Sequence, residues 1–312
     1  MTATQIRMGT DNGHLYAAIT TNVAITWQQA HDAASSIDAQ SAAWQMVAIT
    51  DAAENAFVTH LIKPLANEIV WIGLVQDPNG SEPTGGWSWT SGEALGYSNW
   101  NRGEPNDLGG EDFGMIYGST AFLGKWNDLQ AVSLAKCALY ELSVDVALTL
   151  NGSKGADVLL GGSLGDRLEG LGGDDKLRGG LGNDSLFGGA GNDSLAGKAG
   201  ADVLSGGAGA DTFFFGQAGF SAPGRSDVIV DFQQGSDRID LSRIDADHST
   251  ALNDAFTLIF GQHFDGTAGQ LRFEATAGGD TRVMADTDGD GHADFALILH
   301  GAFTLTAADF NL

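Results

Sequence analysis

The sequence predicts a multidomain chain: an α+β head, a parallel coil of short β-strands built from repeats, and a β-rich tail. Three observations predict it. All seven tryptophans and all four tyrosines lie before residue 141. From residue 152 to about 214 the text turns to glycine, aspartate and leucine with a period of nine. From there to residue 312, short runs of Phe, Ile and Leu alternate with Asp-containing turns. The boundaries follow as 1–143, 144–214 and 215–312.

Composition limits the partners. Forty acidic against 15 basic residues give a net charge of −25. Such a chain repels phosphate backbones and anionic lipid surfaces, so a nucleic-acid partner is not expected. A surplus of carboxylates instead awaits a cation. The single cysteine, Cys137, excludes an intrachain disulfide. No run approaches the roughly 18–20 apolar residues of a membrane span. The first twenty residues lack the charged, apolar, small-residue order of a cleaved signal peptide.

In the head, Trp27-Gln28-Gln29-Ala30 with Ala33 and Ala34 suits a first helix, and Ala53 to Ile62 a second. Trp71-Ile72-Gly73-Leu74 reads as a central strand. Gly86-Trp87-Ser88-Trp89, Tyr97-Ser98-Asn99-Trp100, Glu104-Pro105-Asn106 and Gly124-Lys125-Trp126-Asn127-Asp128 follow it. In that order and approximate spacing, the first 142 residues resemble a C-type lectin-like domain along their full length. The resemblance implies one calcium ion held by Glu104, Asn106, Glu111, Asn127 and Asp128, with two adjacent sugar hydroxyls completing its shell. Calcium takes six to eight oxygen ligands, so carboxylates, amide oxygens and hydroxyls serve alike. Each hydroxyl also donates to a carboxylate and accepts from an asparagine amide. The Glu-then-Asn order implies mannose-, fucose- or glucose-like diols and a cis bond before Pro105. The interval after Asn106 is one residue short for the family, so the third ligand is Glu111 or Asp112.

A second, structural calcium is implied beside the first, at Asp77, Glu82, Asp107 and Asp112. Asp77-Pro78-Asn79-Gly80 is also an ordinary turn sequence. Where the family has disulfide cysteines, Phe113 and Tyr140 stand at two of the positions. Cys137 reads as a small buried residue. Trp71, Trp87 and Trp89 read as core rather than as sugar platforms.

In the middle segment, nine-residue units start at Gly152, Gly161, Gly170, Gly179, Gly188, Gly197 and Gly206. The sixth residue is always aspartate: Asp157, Asp166, Asp175, Asp184, Asp193, Asp202 and Asp211. The eighth is leucine, and finally Phe213. Glycines let the chain reverse within a few residues. A three-residue strand follows each turn, its central leucine pointing inward. Two units make one turn of a flattened coil, so loop n stacks on loop n+2, about 4.8 Å away. Stacked carboxylates repel unless a hard cation sits between them, and oxygen-only ligands favour calcium. Seven loops allow at most about five sandwiched sites. Leu164 and Leu171 make the second and third units irregular. The pattern is a known calcium-binding repeat, and the segment resembles the repeats-in-toxin (RTX) β-roll of proteins exported by type I secretion.

In the tail, Ser226 to Phe232, Gly235 to Leu241, Gly266 to Leu271 and the ending Leu305 to Leu312 are similar to the C-terminal domain of serralysin-type exported proteins. That resemblance implies an uncleaved C-terminal export signal, type I secretion machinery as a partner and an extracellular location. A zinc protease is not expected, because no two histidines stand four apart around a glutamate. The run Asp286-Thr287-Asp288-Gly289-Asp290 is either a calcium loop or an acidic hairpin turn. Together these expectations describe an exported bacterial calcium-dependent carbohydrate-binding protein, not an enzyme. The alternative is a protein- or ice-binding module of the same fold on a calcium-folded scaffold.

Overall fold

A computed structural model describes residues 3–11, 14–34, 37, 44–65, 69–77, 83–93, 95–118, 122–142, 147–249 and 253–312. The chain divides into two compact units, Met1–Val144 and Asp145–Leu312.

The first unit is α+β. Its strands are β1 (Ala3–Asp11), β2 (His14–Ile25), β3 (Gln45–Met46), β4 (Ile69–Gln76), β5 (Trp87–Trp89), β6 (Phe113–Tyr117), β7 (Trp126–Leu129) and β8 (Ala135–Leu142). They run in the order β1-β2-β8-β4-β6-β7, with β3 on β8 and β5 on β4. Helix α1 (Trp27–Ala33) opens with a capping box between Thr26 and Gln29. Helix α2 (Ala52–Ile62) is capped by Asp51, which accepts the Glu54 amide. Both helices fall where the sequence places them. Strand β4 is buried along most of its length, as expected for a strand covered on both faces. Gly73 lies at its centre because a Cβ there would meet the Met46 and Val47 carbonyls at 2.8 and 2.9 Å.

Aromatic residues anchor this unit. Trp71, Trp87 and Trp89 are buried, and the Trp71 indole donates to the Ile25 carbonyl at 3.0 Å. Phe113 and Tyr140 both hold α1: Phe113 packs on Trp27 with ring centres 5.0 Å apart, and the Tyr140 hydroxyl donates to Ala30 O at 2.9 Å. These contacts tie the helix to the sheet without a crosslink. Cys137 is fully buried, which pushes its thiol up to about 12.

The second unit is β-rich with two parallel sheets. One contains β9 (Thr149–Asn151), β11 (Arg167–Glu169), β13 (Ser185–Ala190), β15 (Val203–Ala208) and β17 (Asp227–Ile229). The other contains β10 (Val158–Leu160), β12 (Lys176–Leu181), β14 (Ser194–Ala199), β16 (Thr212–Phe214) and β18 (Arg238–Asp240). Within the repeats, strands pair eighteen residues apart, Leu159 on Leu177 and Leu186 on Leu204. The inward Leu159, Leu168, Leu177, Leu186, Leu195, Leu204 and Phe213 are fully buried. Four of these strands have six residues rather than three, because pairing continues into the next unit's glycines, as in Gly180 on Lys198. The ladder crosses residue 214 without a break: Val203 pairs Val228 and Thr212 pairs Arg238. Beyond it, β19 (Thr257–Leu258), β20 (Gln270–Ala275), β21 (Thr281–Asp286) and β22 (Phe295–Leu299) extend the first sheet, and β23 (Phe310–Asn311) extends the second.

Candidate functional site

In the first unit, Trp126 organises the surface that carries the Glu-Pro-Asn run. Its indole is fully buried and donates to Asn55 Oδ1 of α2 at 2.8 Å. Tyr97 and Trp100 meet it edge-on, at 5.6 and 5.8 Å between ring centres. The Trp126 amide donates to Asn99 O, and the Asn101 amide to Trp126 O. Chain 99–101 is thus laid beside β7, which brings Glu104 within the field of Asp128. The Glu104–Pro105 bond is cis.

Asp128 is the hub. It is fully buried, and its Oδ2 accepts the amides of Asn106 and Asp107, each at 2.9 Å. Its Oδ1 is buried with no partner. The Leu108 amide donates to Asn106 Oδ1 at 2.9 Å and to Glu111 Oε2 at 3.1 Å. The Asn106 side-chain amide donates to Glu104 Oε2. Asp107, in the left-handed region at φ 49°, closes the turn by accepting the Glu111 amide. Glu104, Asn106, Glu111 and Asp128 are thereby linked through one short hydrogen-bonded loop, with Asn127 next in chain to Asp128.

Burial and mutual repulsion act together on the carboxyls of this cluster. Burial, then the Asp128 charge, raises the Glu104 carboxyl above its usual range. Burial chiefly raises Glu111 as well, with Asp128 and Asp107 adding to it and the Leu108 amide opposing it. Tyr117, which the sequence did not single out, is raised by burial and by the charges of Glu104, Glu111 and Asp128. An unpartnered buried carboxylate oxygen is costly, and several crowded oxygens without a cation are a mismatch. The donor set is all oxygen, which fits a hard divalent cation.

The second acidic group of the head is less assembled. Asp107 and Asp112 lie on the same loop, and the Asp112 carbonyl accepts the Gln76 amide at 2.9 Å. Asp77 is exposed at the end of β4, and Glu82 lies outside the described residues. A different group, absent from the sequence reading, is His14, Glu54 and Glu141, whose ligand-type atoms lie within 4.8 Å of one another. Tyr16 and Thr50 donate to Glu54, and the Ala48 amide donates to Glu141. Burial and the Glu54 charge push Glu141 up to about 7. Only long-range pairing joins these residues, so no local motif announces them.

In the repeats the aspartates form two columns. The Asp157 amide donates to Asp175 Oδ1, Asp175 to Asp193 and Asp193 to Asp211, at 2.7 to 2.9 Å. The Asp166 amide donates likewise to Asp184, and Asp184 to Asp202. A Cβ on Gly179 would collide with Asp184 Oδ2, which explains the glycine opening that unit. Burial and neighbouring aspartates push Asp175 and Asp184 up to about 7. In the hairpin after β21, Asp286, Asp288 and Asp294 come within 4.8 Å. Asp290 stands apart, accepting the His292 amide. Asp286 accepts the Gly289 and Gly291 amides, so this loop closes on its own hydrogen bonds.

A family model for the peptidase M10 serralysin C terminal matches residues 152–312, and one for the lectin C-type domain matches residues 23–138. Regenerating islet-derived protein 3-gamma of Homo sapiens is 36% identical over 87 residues, 27% of this chain and 49% of that protein. A perlucin-like protein of Mytilus galloprovincialis is 34% identical over 102 residues, covering 32% of this chain and 60% of that one. The chain thus spans about half the length of the curated relatives it matches. Among solved structures, the C-type lectin CEL-I from Cucumaria echinata aligns at 28% identity with a TM-score of 0.37, over 43% of this chain and 94% of that one.

Proposed function

The chain belongs to the serralysin C-terminal family and carries a C-type lectin domain at residues 23–138, and from that premise we propose that it is a secreted, calcium-dependent carbohydrate-binding protein of bacterial origin. The observation that carries the reading is the buried, partnerless Asp128 Oδ1 beside Glu104, Asn106, Glu111 and Asn127. Bound there, calcium would supply coordination for two adjacent sugar hydroxyls. Glu104 accepts a hydrogen from one hydroxyl, and the Asn106 amide donates to its oxygen. Asn127 and Asp128 present oxygens from the facing strand, and Asp128 fixes the loop by holding its two amides.

The parallel coil is read as an RTX β-roll that calcium completes, and the tail as the export signal for type I secretion. No membrane-spanning helix occurs among the described residues. In this reading the head binds its sugar without transforming it. The complete oxygen set around Asp128 favours a sugar over a protein or ice surface, neither of which needs a coordinated diol.

Exchanging Glu104→Gln together with Asn106→Asp swaps donor and acceptor positions, so preference should move from mannose-like to galactose-like sugars by about tenfold or more. Competitive elution with the two sugars reads this out. An unchanged preference would remove these two residues from the site.

A further inference from the structure

Asp157 and Asp166 share the period of the later aspartates but not their surroundings. Asp157 Oδ2 accepts the Ser153 amide at 2.5 Å, and Asp166 Oδ2 accepts the Gly162 amide at 2.6 Å. In each case the donor lies four residues upstream. In the five later units that bond is missing, and Oδ2 of Asp175, Asp184, Asp193, Asp202 and Asp211 is buried without a partner.

The backbone separates the same two sets. The second and fourth residues of units three to seven all have a positive φ, from Leu171 at 72° and Gly173 at 103° to Gly207 at 96° and Gly209 at 144°. No residue from 152 to 166 does. Leu171 and Lys198 hold this conformation (72° and 73°) although neither is glycine. The left-handed region costs an L-residue about 1–2 kcal/mol, so both units keep the loop shape against local preference. Leu171 therefore leaves the third unit regular, whereas the first two units differ.

The upper end closes in the same manner. The Asp211 amide donates to Asp237 Oδ1 at 3.1 Å, and Asp237 Oδ2 accepts the amide of Gln233, again four residues upstream, at 2.8 Å. The other column ends differently. The Asp202 amide donates to Asp227 Oδ1 at 2.9 Å. Asp227 is fully buried, and its Oδ2 has no partner. Four residues upstream of it stands Pro223, which has no N–H to donate.

We infer that calcium in the parallel coil is confined to Asp175, Asp184, Asp193, Asp202, Asp211 and Asp227, and that Asp157, Asp166 and Asp237 are capped by backbone amides and hold none. The inference rests on the reading that the repeats bind calcium. Five competent loops stacked two apart leave three sandwiched positions, and Asp227 above Asp202 adds a carboxylate for a fourth. Asp227 lies outside the nonapeptide period, while two aspartates inside the period are excluded. The capped ends terminate each run of carboxylates with a hydrogen bond where no further cation is available.

Calcium stoichiometry of the full chain tests this, read by native mass spectrometry and by titration against a chromophoric chelator. Asp166→Asn should keep the wild-type ion count and the wild-type rise in Tm on adding calcium. Asp184→Asn and Asp227→Asn should each lose at least one ion. Should Asp184→Asn fail to fold, Asp193→Asn reads the same property. Loss of an ion from Asp166→Asn, or a wild-type count in Asp227→Asn, overturns the assignment. An identical count in wild type and all variants means that the repeats hold no calcium, and overturns the broader reading with it.

Discussion

At the scale of single residues, Asp128 carries two separable duties. One oxygen holds the amides of Asn106 and Asp107, and the other faces the crowded oxygens alone. Asp128→Ala leaves two amides without their acceptor, and a buried unsatisfied donor costs about 1–3 kcal/mol. Asp128→Asn keeps one acceptor oxygen for the amides and removes the charge. Both variants should lose calcium-dependent sugar retention, but the alanine variant should also melt lower, as scanning calorimetry in EDTA would show. Equal melting of the two in EDTA would deny Asp128 its structural duty. The Glu-Pro-Asn and Trp-Asn-Asp runs were legible in the sequence because the loop chemistry is local. Tyr117, Glu54 and Glu141 were not, because strand register and burial bring them to their neighbours.

At the scale of elements, the aspartate ladder couples stability to pH. In the calcium-free fold Asp175 and Asp184 are pushed up to about 7, Asp211 to about 6 and Asp227 to about 8, each mainly by burial. Unfolded aspartates titrate near about 3.9, so between these values the fold binds protons that the unfolded chain has released. Stability from these groups is fully present below the unfolded value and is lost as pH rises through the folded values. In EDTA the Tm of the second unit should therefore fall between pH 5 and pH 8. With saturating calcium the trend should reverse, since protons compete for the same oxygens. A melting temperature in EDTA that rises over this interval would contradict the picture. The period of nine made the strands and inward leucines readable in advance. It did not separate Asp166 from Asp184 cleanly: Leu164 marked the second unit as irregular, but Leu171 marked the third equally, and Leu171 takes the left-handed conformation as Gly180 does.

At the scale of the whole molecule, charge and calcium divide two environments. Uncompensated carboxylate columns and glycine-rich backbone disfavour the coil where calcium is scarce. Extracellular modules fill with dissociation constants of about 10⁻⁴–10⁻³ M, and binding to the folded form alone stabilises it by mass action. Such a chain would cross an exporter unfolded and fold outside. Its ending is built into the fold: Leu305 and Phe310 are buried, and β23 pairs with β18. Deleting residues 305–312 should trap the chain inside cells carrying a type I exporter while the head retains sugar binding. Efficient secretion of that truncation would remove the signal from the tail.

If the oxygens around Asp128 bind sugar through calcium, removing calcium must abolish sugar binding. Isothermal titration of the full chain with a mannose-containing oligosaccharide, run with millimolar calcium and again with excess EDTA, tests it directly. Saturable binding in calcium that vanishes in EDTA and returns when calcium is restored is the expected result. Equal binding in both buffers, or no binding to any vicinal-diol sugar in calcium, would contradict it.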